Sequence, residues 1–112
     1  MDKNEIIAKH IWHDILQCSM KPFTWGFEFR TVKTIDNGTA FRVSTKFITG
    51  WVEIQQPTDD DAYDVTIKPD LLGGGLHYEG LTSNKLVLQI DRILSEGILS
   101  DITDSQNYQV AV

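Results

Sequence analysis

Apolar and polar positions alternate along two nearby stretches of this chain. Phe23, Trp25, Phe27 and Phe29 interleave with Thr24, Gly26, Glu28 and Arg30. Phe41, Val43, Thr45 and Phe47 interleave with Ala40, Arg42, Ser44 and Lys46. A period of two marks a half-buried strand. The pattern therefore predicts a hairpin with strands near 24–34 and 40–48, closed at Asp36-Asn37-Gly38. A two-residue Asn37-Gly38 turn would pair Phe41 with Thr34 and Phe47 with Glu28, which mixes the faces. A three-residue loop with Gly38 in the left-handed conformation pairs Phe47 with Phe27, Thr45 with Phe29 and Val43 with Thr31. It also sets Glu28 opposite Lys46. This second register is the expected one, because a slip of one residue would turn the apolar row outward.

Two further strands follow. Trp51 to Gln56 is the third. Ala62 to Lys68 alternates cleanly and is the fourth, beyond a turn region of Pro57, Thr58 and Asp59 to Asp61. Pairing Val52 with Ile67 and Ile54 with Val65 keeps apolar side chains together. It places Glu53 opposite Thr66 with Lys68 diagonal. Helices bracket these strands. Ile7, Ile11 and Ile15, beside Ala8, Trp12 and Leu16, form a stripe wide enough to pack on a sheet. Asp2 or Asn4 would cap that helix, which runs to about Gln17, and Pro22 would stop it. A second helix of about fourteen residues is capped by Thr82, with Leu81 and Leu86 as a hydrophobic staple. Its apolar face is Leu86, Val87, Ile90, Ile93 and Leu94, and Gly97 ends it. Pro69 to Gly80 reads as a loop. The fold class expected is α+β: a four-stranded antiparallel meander with an N-terminal and a C-terminal helix on one face. Residues 1–97 form the domain and 98–112 a tail.

Composition narrows the setting. With 41% hydrophobic and 23% charged residues in 112 positions, the chain can bury one modest core. No apolar run approaches the length that spans a bilayer. The first five residues lack the pattern of a signal peptide, and Cys18 is the single cysteine, so a cytoplasmic protein is expected. The net charge of −6 is unevenly spread. Residues 1–58 carry seven basic and six acidic residues, whereas residues 59–112 carry three basic and ten acidic. The second half should repel phosphates and could attract a basic protein.

Several residues are candidates for chemistry. His10 and His13 share a helix face with Asp14 beside them, and a third ligand such as His77 would complete a metal site. Surface histidines are the plainer reading, and no metal or other cofactor is expected. Asp59, Asp60, Asp61 and Asp64 resemble a calcium loop in charge but not in spacing. Cys18 lacks the surroundings of a nucleophile. Gly73-Gly74-Gly75 precedes a helix but lacks the lysine of a phosphate loop. The aromatics Trp25, Phe27, Phe29, Phe41 and Phe47 would stack bases if exposed and form core if a helix covers them, and the core reading is preferred. The opposite face would carry Arg30, Arg42 and Lys46 with Trp51. No nucleophile, base and orienting group come together, so an enzyme is not expected.

The runs Gly50-Trp51-Val52-Glu53-Ile54-Gln55, Asp61-Ala62-Tyr63-Asp64-Val65 and Leu86 through Ile90-Asp91-Arg92-Ile93 resemble small uncharacterised proteins of phages, plasmids and conjugative elements. The resemblance covers about residues 20–96 and implies a helix, a β-meander and a closing helix, in an accessory protein of a mobile element. It brings no catalytic residues. The expected function is non-enzymatic binding or inhibition of an unidentified protein, a basic one suiting the charge, through Asp59, Asp60, Asp61, Asp64, Asp70 and Glu79. The alternative is a nucleic-acid accessory protein using Arg30, Arg42, Lys46 and Trp51. An exposed edge at the first or fourth strand would allow homodimers.

Overall fold

The structure, a computed structural model, describes residues 2–18, 25–58, 62–71 and 74–96, without the side chains of Cys18, Phe27 and Glu96. Its elements run α1 (Lys3–Cys18), β1 (Phe27–Ile35), β2 (Gly38–Ser44), β3 (Thr49–Gln55), β4 (Tyr63–Pro69), β5 (Leu76–Leu81) and α2 (Ser83–Glu96). The strands form one antiparallel sheet in the order β1-β2-β3-β4-β5. The α+β class with two helices is as expected, but the sheet has five strands. The expected loop before α2 contains β5. Asp59–Asp61, Gly73, the breaks at Pro22 and Gly97 and the tail 98–112 lie outside the described residues, as does the Cys18 thiol.

The first hairpin departs from the expected register. Ile35 pairs with Gly38, Thr34 with Thr39 and Lys33 with Ala40, so the turn is the two-residue Asp36-Asn37. Asn37, not Gly38, takes the left-handed conformation, at φ 57°. Short polar side chains tolerate that region. Beyond Lys33 the ladder breaks and resumes with Glu28 opposite Arg42 and Phe27 opposite Val43. Residues 29–32 bulge opposite Phe41. The Thr31 hydroxyl replaces part of the missing ladder. It accepts from the Arg42 N–H at 2.9 Å and donates to the Glu28 carbonyl at 2.6 Å. The bulge leaves Phe29 79% exposed. Phe47 is also exposed, because β2 stops at Ser44 and residues 45–48 form a tight turn. The Thr45 N–H donates to the Ile48 carbonyl there, and the Thr45 hydroxyl donates to the Leu94 carbonyl of α2. The expected row of core aromatics thus reduces, among the described side chains, to Trp25 and Phe41, whose rings stack with centroids 6.4 Å apart.

The β3–β4 register is as expected: Val52 faces Ile67, Ile54 faces Val65, and Glu53 faces Thr66. Gly50 lies within β3, which begins two residues before the expected Trp51. Gly38 is needed for proximity. A Cβ there would lie 1.9 Å from the Ile54 carbonyl oxygen of the neighbouring strand. At the far edge, Tyr63 pairs with Leu81 and Val65 with Tyr78, so Glu79 and Gly80 share a bulge opposite Asp64. Gly80 has φ +67° and donates its N–H to the Asp64 carboxylate. Edge strands β1 and β5 therefore both carry irregularities, a device that discourages strand addition. β4 is internal and offers no edge.

Both helices cover the inner face. Asp2 caps α1 through the Glu5 N–H at 2.9 Å, as expected, while Asn4 instead accepts the Asn37 N–H of the hairpin turn. Ala8, Ile11 and Ile15 are buried and Ile7 and Trp12 pack at the margin, but Leu16 is exposed. Thr82 caps α2, and all five residues of its expected apolar face are buried. They belong to one core cluster with Phe41, Val43, Val52, Ile54, Val65 and Ile67 from the sheet. Further long-range bonds join the helices to the rest of the fold. The Trp25 indole N–H donates to Asp91 of α2 at 3.1 Å, and the Tyr63 hydroxyl donates to Asp14 of α1. Among the described residues no helix is long and apolar enough to cross a membrane.

Candidate functional site

Antiparallel alternation sends every second residue to the face that the helices leave open. That outer face carries Lys33, Arg42, Trp51, Glu53, Gln55, Asp64, Thr66, Lys68, His77 and Glu79, as the ladder places them. Trp51 sits on central β3 between Arg42 of β2 and Lys68 of β4. The Lys33 ammonium lies 4.5 Å from the Trp51 ring centroid and the Arg42 guanidinium 5.5 Å. Cations over an aromatic face are held by its quadrupole. The ring is half-buried, fixed by its neighbours on the face.

The charges are largely paired across strands. Arg42 binds the Asp70 carboxylate with both terminal nitrogens, at 3.1 and 2.5 Å. That hydrogen bonding holds the Asp70 carboxyl below its ordinary value of 3.8 and raises Arg42, with the opposite charges acting in the same sense. Lys68 meets Glu53 at 3.2 Å, on the expected diagonal. On β5, the His77 ring bridges the Thr66 hydroxyl at 2.7 Å and the Glu79 carboxylate at 3.1 Å. A hydroxyl, an imidazole and a carboxylate in a row are the parts of a nucleophilic relay. Here they lie on an open strand surface with Glu79 74% exposed, and the described cavities are elsewhere. Catalysis of that kind needs preorganised oxyanion donors in a site that excludes water.

The residues expected to act together are divided by the fold. Of the acidic set, Asp64 and Glu79 meet at the β4–β5 bulge. Asp70 follows the other end of β4, on the order of 20 Å away at strand rise, and is engaged by Arg42. Asp59, Asp60 and Asp61 lie outside the described residues. Of the basic set, Arg42 and Trp51 are adjacent, Arg30 is exposed within the β1 bulge, and Lys46 sits in the β2–β3 turn near the Phe47 ring. One member of each set, Arg42 and Asp70, therefore binds the other. His10 approaches Asp14 at 3.5 Å, whereas His77 is on the opposite face of the sheet. The described residues form no group of three potential metal ligands.

No protein-family model, curated protein or solved structure matches the chain.

Sequence reading missed Lys33 as a partner of Trp51, because the bulge that sets its position has no periodic signature. It also missed the placement of His77 and Glu79. Leu76 and Tyr78 alternating with His77 and Glu79 was the available signal. Two cavities of about 200 and 190 Å³ lie off the outer face. One is lined by Trp25, Thr45, Lys46, Phe47, Asp91, Leu94 and Ser95 beside the C-terminal part of α2. The other is an apolar groove between α1 and the β1 bulge, lined by Trp12, Leu16, Phe29 and Val32.

Proposed function

We propose that the protein is a non-enzymatic binding factor that engages another protein through the outer face of its sheet. The observation that carries this reading is the fixed array around Trp51: an aromatic ring held by Lys33 and Arg42, bordered by cross-paired charges, on a face that neither helix covers. An aromatic anchor within a polar rim is the usual composition of a protein-binding hot spot. The acidic corner at Asp64 and Glu79 adds attraction for a basic partner, and its effect would be on encounter rate. An accessory role in a mobile genetic element is the setting the sequence resemblance supplies; an inhibitory role rests on the acidic charge, and a cytoplasmic location on composition.

The alternative is nucleic-acid binding by Arg30, Arg42, Lys46 and Trp51. It is disfavoured because Arg42 is neutralised by Asp70 and Trp51 already has cations on its ring, leaving no continuous basic stripe among these residues. Affinity for phosphates requires such a stripe.

The test is capture from host lysate with tagged wild type and Trp51→Ala, followed by cross-link mapping. A partner cross-linked to the outer face, lost in Trp51→Ala and weakened by added salt, is expected. Equal recovery of every partner by a variant combining Trp51→Ala, Asp64→Lys and Glu79→Lys would exclude this face. A low-salt gel shift with single- and double-stranded DNA, abolished by Arg42→Ala, would favour the alternative instead.

A further inference from the structure

We draw no further inference here: the strongest candidate, the apolar groove between α1 and the β1 bulge lined by Trp12, Leu16, Phe29 and Val32, is an uncovered apolar surface and nothing in the structure shows what covers it.

Discussion

Gly38→Ala should be among the most damaging single-methyl changes this sheet can receive. The new Cβ would lie 1.9 Å from the Ile54 carbonyl oxygen, and ordinary contact begins near 3.4 Å. The shortfall is roughly 1.5 Å, set against backbone that has no rotamer to yield. Gly38 is buried, and its strand is paired on both sides. Parting β2 from β3 by that distance would stretch a hydrogen bond of about 2.9 Å beyond its useful range. One or two ladder bonds would then be lost, at about 1–3 kcal/mol each where the groups stay buried. A total near 3 kcal/mol follows. With a urea m-value of about 2 kcal/mol/M for a domain of this size, the unfolding midpoint should fall by about 1.5 M. Gly80→Ala is the matched comparison. Its Cβ would meet nothing within 4 Å, and the penalty is conformational, from φ +67°. About 1 kcal/mol is expected there. Urea melts of both variants, followed by far-UV circular dichroism, decide the matter. A Gly38→Ala midpoint equal to wild type, or higher than that of Gly80→Ala, would refute the close approach of β2 to β3.

The other predictions concern the helices, the bulge and the ion pair. Ile90→Ala, fully buried on α2, should destabilise by about 2–5 kcal/mol, whereas Leu88→Ala, 57% exposed on the same helix, should stay within about 0.5 kcal/mol by the same melts. Phe41→Ala should lose about 3–5 kcal/mol and Phe29→Ala under about 1 kcal/mol; equal losses would restore the regular hairpin in place of the bulge. Because the Asp70 carboxyl is held below 3.8, its contribution is present above that pH and is lost as pH falls through the lower folded value. Asp70→Asn should therefore be less stable than wild type near neutral pH, with the difference closing under acid; a constant difference across an acid titration would count against the Arg42 pairing. Tyr63→Phe removes the hydroxyl that binds Asp14 and should cost about 1–2 kcal/mol, read from thermal unfolding.

Much of the fold was legible where a single period governs a whole element. The α2 face could be named residue by residue because helical spacing and a Thr82 cap agree. The β3–β4 register was legible because Val52, Ile54, Val65 and Ile67 admit one pairing that keeps them together. The expectations fail at the first hairpin, in both its turn and its bulge, and at β5. An insertion at residues 29–32 preserves the alternation of Phe27 and Phe29 on paper while redirecting the chain in space, and the Thr31 hydroxyl that replaces lost ladder contacts has no signature in the pattern. Around β5, four glycines within eight residues outweighed the alternation of Leu76 and Tyr78. The candidate site was less legible than the fold. Trp51, Arg42 and the Glu53–Lys68 diagonal followed from strand parity, but Lys33 and the division of the carboxylates depend on the displaced ladder and the unforeseen fifth strand.

The strand order has a consequence for how the chain assembles. Every strand pairs with its sequence neighbour, so each ladder needs closure of a short connection only. Local contacts of this kind shorten the search. During synthesis the sheet can grow one hairpin at a time as β2 to β5 leave the ribosome. The bond from Trp25 to Asp91 spans 66 positions and must wait for α2. Until then α1 has a platform to rest on but no second helix beside it, and the buried core on the α2 side is open. Completion of the described fold is thus tied to α2, and a chain stalled before Ser83 would present the apolar row of Val43, Val65 and Ile67 with only one of its two covers.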